Sequence, residues 1–286
     1  LPGSFETVNK KVMVFSKIAC LFLLAFGTFV KGQNLQITML MKMKMKIPVI
    51  GPVKITFDQT VAPGFYKAEE KTEAERFLFR WIGGDITGEI MIAGTDKIIK
   101  YDVGDEEYWL ETPEEYFAEN EPDTSNGKKK SYSFSFSSED DDAPPKITRF
   151  AGQGIETIHG YRTKKWITTV TSAEKKMIIE EWFVDKLPLQ DLHDSLKAEM
   201  LFLFNPDTTA SAKERFEFTS NILLEQMDTL HTLEPLSGRS VKTNFLLYDE
   251  DEDPEFTMGF EILELYAESV DTAFFTIPER FKKTVK

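Results

Sequence analysis

The stretch QITMLMKMKMKIPVIGPVKITFDQ, residues 36–59, decides the fold class of this chain. Apolar residues occupy every odd position from 37 to 47, and lysines occupy positions 42, 44 and 46. A period of two is expected of a half-buried strand. Proline and glycine interrupt the pattern at residues 48–52, after which apolar residues return at every second position from 53 to 57. The stretch therefore predicts an antiparallel hairpin with a methionine face towards the interior and a lysine row facing water.

A segment typical of a secretory signal peptide precedes this hairpin. Lysines at positions 10, 11 and 17 lead into a mainly apolar run, residues 18–30, and Val30-Lys31-Gly32 offers a cleavage site that would leave Gln33 first. A transmembrane anchor is the alternative, but a bilayer core needs about 20 apolar residues and this run ends at Lys31. We therefore expect residues 1–32 to be a leader, of which residues 1–12 are an upstream extension before Met13.

Cysteine usage and net charge limit what the rest of the chain, residues 33–286, can be. The single cysteine, Cys20, lies in the predicted leader, so a mature chain would depend on an apolar core and not on disulfides. The net charge is −14, and the leader carries more lysine than glutamate, so the mature chain would be more acidic still. Nucleic acids and anionic lipid surfaces are accordingly poor partners.

The order of predicted elements describes one β domain over residues 33–286. Short β-prone runs with turn residues between them indicate an antiparallel meander at residues 66–70, 76–82, 88–93, 97–103 and 107–111. Residues 119–146, rich in Ser, Asp, Lys and Pro, are predicted to be a flexible insertion. Further strands are predicted at residues 155–170 with a turn at 159–160, and at 177–184, 241–248, 256–266 and 273–277.

Helical periodicity interrupts the strands once. Residues 189–205 place apolar side chains on one side of a helix that ends at Asn205-Pro206, with His193 on its polar side. A second helical segment is predicted at residues 208–233. The fold class is thus mainly β (α+β), a curved antiparallel sheet covered by one or two amphipathic helices.

Several short stretches resemble those of a known family. They are MKMKMKIPVIGPVKITF in the first hairpin, Ile158-His159-Gly160-Tyr161 with Lys165-Trp166, Leu236-Ser237-Gly238-Arg239-Ser240-Val241, and Phe275-Thr276-Ile277-Pro278. The chain resembles the LolA/LolB-like outer-membrane lipoprotein carriers, and more closely a family of secreted bacterial proteins without an agreed activity that shares their fold. The resemblance implies an incomplete barrel whose concave face is covered by helices and, in the carriers, takes up the acyl chains of a lipoprotein. No carrier ligand-binding residue can be matched onto this chain, so acyl-chain binding is implied by the fold alone.

Motifs that would indicate catalysis, a metal or a cofactor are missing from the sequence. The three histidines form no HxxxH or HExxH pattern, and no GxSxG elbow, P-loop or helix-opening GxGxxG is present. His193-Asp194-Ser195 does not predict a triad, because sequence neighbours on a helix point in different directions. We therefore expect no enzyme, no metal and no cofactor.

The leader, the oily strand face and the amphipathic helix together predict an exported, soluble envelope protein of a Gram-negative bacterium, periplasmic or secreted. It would bind a hydrophobic or acylated ligand, such as a lipid or the acyl chains of a lipoprotein, between sheet and helix. The residues predicted to line the cavity are apolar and lie on the first strand and the helix: Met39, Met41, Met43, Met45, Leu192, Leu196, Met200 and Leu203. The alternative is a structural or interaction module with a self-filled core, which meets another envelope protein.

Overall fold

We describe a computed structural model that covers residues 34–47, 51–74, 84–120, 145–172, 175–205, 224, 227–228, 233–249 and 253–285. The chain separates into Leu1–Leu35 and Gln36–Lys286, and the structure below concerns the second of these units. The predicted leader lies outside the described residues. The division into a leader and one β domain stays a prediction.

Thirteen strands and two α-helices make up the described part of the chain. The strands are β1 (Leu35–Ile47), β2 (Gly51–Ala62), β3 (Phe65–Ala74), β4 (Ile86–Ile92), β5 (Ile98–Asp102), β6 (Glu107–Glu111), β7 (Lys146–Ala151), β8 (Glu156–Ile158), β9 (Tyr161–Thr171), β10 (Lys176–Val184), β11 (Arg239–Tyr248), β12 (Phe256–Ser269) and β13 (Lys282–Lys283). The helices are α1 (Pro113–Asn120) and α2 (Pro188–Phe204).

The sheet consists of two meanders that meet at β1. Its order is β13-β6-β5-β4-β3-β2-β1-β12-β11-β10-β9-β7, and β8 pairs with β9 off this path. The described pairings within the meanders are antiparallel, whereas β13 pairs with β6 in parallel. This open, curved, mainly β sheet confirms the predicted fold class.

The first hairpin forms as predicted. β1 and β2 are in register from Ile37 opposite Val61 to Ile47 opposite Gly51. The predicted turn at residues 159–160 also forms, between β8 and β9, and both of its residues adopt positive φ, 45° at His159 and 86° at Gly160. Glycine adopts this conformation at little cost, so Gly160 is well placed to close the hairpin.

Both helices pack on the same face of the first meander, where α2 contacts β2, β3 and β12. The buried side chains between them form what we call the helix-side core: Ile37, Val61, Tyr66, Met91, Ile98, Tyr116, Phe117, Met200, Leu201 and Phe204. Five successive strands and two helices contribute to it. Side chains of the protein therefore fill this part of the space between sheet and helices.

The C-terminal segment covers the opposite face of the first meander. Ala62, Ile90 and Tyr101 pack there against Phe275 and Phe281. Because neighbouring strand residues point to opposite faces, Val61 joins the helix-side core while Ala62 joins this second cluster.

The prediction of a strand at residues 273–277 is wrong. Thr272–Phe275 form a 3-10 turn instead, whose first N–H groups are satisfied by Asp271. The Asp271 carboxylate accepts from the Ala273 N–H at 3.0 Å, and the Asp271 carbonyl accepts from the Phe274 N–H at 3.1 Å. The turn directs Phe275 into the core, which a period-two reading of the sequence could not anticipate.

The predicted insertion, residues 119–146, lies for the most part outside the described residues, but its two ends are structured. Glu119 and Asn120 close helix α1, which was not predicted, and Lys146 opens strand β7. The strand predicted at residues 76–82 and most of the helical segment at 208–233 also lie outside the described residues. Within that segment, Leu224 and Met227 are helical.

Truncating Phe275 should destabilise the fold strongly, whereas truncating its neighbour should not. Phe275 is 0% exposed and Phe274 is 38% exposed. We expect Phe275→Ala to lower the free energy of unfolding by about 3–5 kcal/mol, because it leaves a cavity in the C-terminal cluster. Phe274→Ala, which removes a ring that packs under the Lys67 ammonium, should cost about 1 kcal/mol or less. Urea unfolding measures both, and equal losses would contradict the described packing.

Candidate ligand-binding cleft

The cleft lies at the seam where the two meanders of the sheet meet. The amide of Gln36 on β1 donates to Glu268 on β12 at 2.8 Å, and Lys42 on β1 forms an ion pair with Glu261 on β12. In these two contacts the residue number on β12 falls as the number on β1 rises, so the two strands run antiparallel. Positions 44–46 of β1 therefore lie opposite positions 257–259 of β12. A cavity of about 430 Å³ opens at this place.

The lining of the cleft combines apolar residues and lysines. Its apolar residues are Met45, Phe245, Leu246, Met258 and Phe260. Its lysines are Lys42, Lys44, Lys46 and Lys242. The remaining lining comes from Pro52, Asn244, Thr257, Gly259 and Glu261. Among the described lining residues, Glu261 is the one carboxylate beside four lysines, in a chain of net charge −14. We call this site the lysine-rimmed cleft.

Two of the charged groups in the cleft are already paired with each other. Lys42 and Glu261 have side chains only 17% and 18% exposed, and His159 also approaches Glu261, with Nε2 at 3.4 Å from Oε2. Partial burial raises the pKa of the Glu261 carboxyl, but the hydrogen bonds from Lys42 and His159 outweigh it, so that the pKa is lowered overall. Glu261 is held ionised, and its charge is matched within the seam.

The other three lysines of the cleft have no such partner within the described residues. Among the residues that the structure describes, Lys44, Lys46 and Lys242 form no ion pair with a carboxylate. Lys44 and Lys46 are exposed, while the Lys242 ammonium lies 4.8 Å from the centre of the Trp182 ring. A cation over an aromatic face is attracted by the ring quadrupole, which holds the Lys242 ammonium beside Trp182. The prediction that the lysine row faces water holds for Lys44 and Lys46 and is wrong for Lys42, because Glu261 from β12 draws it into the seam.

A second cluster of polar side chains lies between helix α2 and the sheet. The Lys197 ammonium donates to Gln59 Oε1 at 2.9 Å and lies 5.6 Å from the centre of the Tyr66 ring. Nearby, Glu89 accepts from Lys100 at 2.9 Å and from the Tyr116 hydroxyl at 3.1 Å. Burial lowers the pKa of Lys197 to about 8, against the attraction of Glu89 and Asp194, which raises it. These contacts attach the helix to β2 and β3 at a polar point within an apolar interface.

The expectation that His193 lies on the polar side of the helix is wrong. His193 is 0% exposed, its Nδ1 lies 3.3 Å from Asp194 Oδ1, and burial lowers its pKa. The helix turns Lys197 and Phe204 inward, and His193, one turn before Lys197, follows them. The two described histidines lie apart, His159 beside Glu261 and His193 under α2, and His231 lies outside the described residues.

The structure divides the predicted cavity-lining residues among several places. Met39 is 4% exposed and packs with Met41 against a cluster that includes Trp182, whereas Met43 is half-buried. Of the four predicted methionines, Met45 alone lines the lysine-rimmed cleft. Met39 and Met41 thus lie in a different cluster from Met45. Whether these methionines bind a ligand stays a prediction.

The four predicted helix residues also separate. Met200 is 1% exposed within the helix-side core and Leu196 packs against it. Leu192 and Leu203 are 42% and 54% exposed on the outer side of α2. The last turn of the helix is apolar at nearly every position, so its sequence pattern does not define which side faces the sheet.

Most of the cleft was not anticipated from the sequence. Three lysines of the cleft belong to the alternating pattern at residues 42–46. Strands β11 and β12, which supply most of its other lining residues, begin about 200 residues later. Lys242, Met258 and Phe260 carry no local pattern that connects them with β1. The pairing of β1 with β12 is the signal that would have found them, and only the tertiary structure contains it.

Metal binding and membrane crossing were also considered for the described residues. They contain no group of three or more His, Cys, Asp or Glu side chains arranged to hold a metal ion. Within the same residues, no helix combines the length and the apolar character that a bilayer crossing requires.

Comparison with known proteins gave matches among solved structures only. A scan of family models and a search of curated proteins found no match for this chain. A search of solved structures matched LolA-superfamily structures, the class that the sequence resembles.

Two of these neighbours cover most of the chain. One is a domain described as an outer membrane lipoprotein-sorting protein from Vibrio parahaemolyticus, at 9% identity and a TM-score of 0.25 over 86% of this chain and 90% of that one. The other is a LolA superfamily protein from Nitrosomonas europaea, at 9% identity and a TM-score of 0.24 over 86% of this chain and 91% of that one. At these values the likeness carries no argument about fold, ligand, partner or location.

Replacing Lys197 should change how stability depends on pH. Lys197 has a pKa of about 8 in the folded protein against 10.5 ordinarily, so between these values the unfolded chain binds more protons than the folded one. The free energy of unfolding of the wild type should therefore rise with pH across this window, relative to Lys197→Met, by on the order of 3 kcal/mol.

Chemical unfolding at a series of pH values measures this difference. Lys186→Met, which removes an exposed lysine just before the helix, controls for the loss of one positive charge. Parallel stability curves for the wild type and Lys197→Met would show that Lys197 is not buried as described.

Proposed function

We propose that this chain is an exported, soluble, non-enzymatic protein of a Gram-negative cell envelope that binds a hydrophobic or acylated ligand. The apolar part of the ligand lies in the lysine-rimmed cleft and not under α2, where protein side chains fill the helix-side core. The expected partners are a lipid or the acyl chains of a lipoprotein.

The observation that carries this proposal is the cleft itself. Its volume of about 430 Å³ falls within the range of about 300–1,000 Å³ that small-molecule sites occupy. Its lining residues include two methionines and two phenylalanines: Met45, Met258, Phe245 and Phe260. Methionine is unbranched and polarisable and adapts to irregular apolar partners, which suits a flexible hydrocarbon chain.

A second candidate is an interaction module without a ligand. Two observations favour it: the helix-side core is filled by side chains, and Leu192, Phe202 and Leu203 are exposed on the outer side of α2. Clustered apolar side chains on a surface are typical of protein contacts. This candidate predicts that the protein takes up no apolar probe, so one measurement separates the two.

The ligand-binding candidate predicts that Met45→Thr weakens apolar binding. The neutral fluorescent probe N-phenyl-1-naphthylamine, titrated into the purified protein, should bind the wild type, and dodecanol should displace it. Met45→Thr should weaken probe binding by about tenfold, because Met45 lines the cleft and threonine is more polar while it remains compatible with a strand.

Met43→Thr is the matched control. Met43 lies two positions away on the same strand and does not line the cleft, so its replacement should leave probe binding within about twofold. A wild-type protein that neither binds the probe nor yields extractable lipid would overturn the proposed function. A larger loss with Met43→Thr than with Met45→Thr would place the ligand elsewhere on the methionine face.

A further inference from the structure

We infer that the attachment of helix α2 to the sheet is sensitive to acid: protonation of His193, in the interface where Lys197 is already buried, weakens it. The inference goes beyond the proposed function, because it concerns the helix-side core and not the lysine-rimmed cleft. It follows from where the two basic side chains lie, from what the His193 ring can bind and from the charges around it.

The first step is that α2 carries two basic side chains into its interface with the sheet. His193 is 0% exposed and Lys197 is 5% exposed. They are four positions apart, so they are neighbours on one face of the helix. Two positive charges at this spacing repel each other, and burial strengthens the repulsion because the interior screens charge less than water does. The interface therefore favours a neutral imidazole beside the Lys197 ammonium.

The second step is the hydrogen bonding of the His193 ring. Its Nδ1 lies 3.3 Å from Asp194 Oδ1, and a carboxylate only accepts, so Nδ1 carries the proton of the neutral ring. Nε2 is buried and has no hydrogen-bond partner among the residues that the structure describes. Protonation would place an N–H at this position. A buried donor without an acceptor is costly, and a buried charge more so, whereas water satisfies both.

The third step concerns the charges next to the ring. Burial lowers the pKa of His193, and the Lys197 charge lowers it further, which together outweigh the Asp194 carboxylate. Asp194 is also shared with a second cation, because Arg239 at the start of β11 lies 3.5 Å from its Oδ2 and pairs with Asp191 at 2.8 Å. These surroundings favour the neutral ring.

The strands that α2 contacts direct uncharged groups at this part of the helix. Gln59 on β2 accepts from Lys197, the Tyr66 ring on β3 lies beside the same ammonium, and Leu265 on β12 packs against the helix-side core. Burial raises the pKa of the Tyr66 hydroxyl well above its ordinary value, so this group stays neutral. Glu89 on β4 attracts the Lys197 ammonium and thereby supports the positive charge that opposes protonation of His193.

The charged residues of these strands are directed elsewhere. Asp58 and Lys67 follow or precede Gln59 and Tyr66 directly in the sequence, so they point to the opposite face of the sheet. On β12, one carboxylate pairs within the seam and two are exposed: Glu261, Glu264 and Glu268. Asp194 is thus the carboxylate that the described structure offers to an imidazolium at His193.

Acid should therefore loosen the helix. Because the His193 ring binds a proton less readily in the interface than in water, the detached helix takes up more protons than the attached one as the pH falls below the ordinary pKa of 6.5. The attachment is strongest above this pH and weakens as the pH falls towards the lowered pKa of His193. Detachment exposes the inner face of the helix, which carries Met200, Leu201 and Phe204.

Hydrogen–deuterium exchange of the purified protein, resolved to individual segments, tests the inference. Protection factors correct for the pH dependence of the intrinsic exchange rate. Those of amides in Pro188–Phe204 should fall about tenfold from about pH 7.5 to about pH 5, a window that spans the imidazole pKa. Those of β10, which is hydrogen-bonded to β9 and β11 within the sheet, should stay within about twofold.

Three variants locate the effect. His193→Gln, which is neutral at every pH, should reduce the change in α2 protection to within about twofold. His159→Asn removes the other described imidazole, beside Glu261, and asparagine tolerates the positive φ of this position, so the tenfold change should remain. Lys197→Met removes the neighbouring charge and should shrink the change without abolishing it.

Each outcome decides. Equal α2 protection of the wild type at both pH values overturns the inference, and so does a fall shared by α2 and β10, which would indicate unfolding of the sheet. A fall that persists in His193→Gln also overturns it and points to another group, such as Asp58, whose pKa is raised mainly by burial. If His193→Gln does not fold, a fall that Lys197→Met leaves unchanged overturns it. The apolar probe is not involved, so the proposed function is tested separately.

Discussion

The pairing of β1 on both of its edges is the constraint on which the rest of the structure depends. β1 pairs with β2, the next strand in the chain, and with β12. The hydrogen bond between Gln36 on β1 and Glu268 on β12 joins residues that are 232 positions apart in the sequence. The first residues of β1 are buried on both faces: Gln36, Ile37, Thr38 and Met39 are at most 5% exposed. A strand in this position must satisfy its backbone on both sides, so the two meanders form one sheet only if this strand is in register with both neighbours.

The two faces of the first meander are closed by different means. Helices α1 and α2 supply aromatic and aliphatic side chains to one face, and a short turn carrying Phe275 closes the other. The helix is also attached through Lys197 and Gln59, an interaction that costs desolvation of a charge and contributes orientation more than stability. Polar attachment at this point specifies which side of α2 faces the sheet, where the apolar pattern of its last turn leaves the choice open.

The lysine-rimmed cleft is a consequence of how the seam ends. Beyond the Lys42–Glu261 pair, β1 continues with the exposed Lys44 and Lys46 and β12 with Met258 and Gly259, and residues of both strands line the cleft. The same lysines that alternate with methionine to make β1 amphipathic line the cleft together with Lys242 from the other meander. Local positive charge in an acidic protein arises here from topology and not from composition.

The sequence by itself determined the β hairpin at residues 36–59, the turn at 159–160, helix α2 and the order of most strands, because period and turn chemistry are local properties of the chain. It did not determine helix α1, the 3-10 turn at Thr272–Phe275, the burial of His193 or the exposure of Leu192 and Leu203. These follow from contacts with segments distant in sequence. The candidate site belongs with them: its lysines on β1 could be read from the alternation, but the cleft exists only because β12 and β11 lie beside β1. Long-range pairing carries no local signal, so only the tertiary structure could decide it.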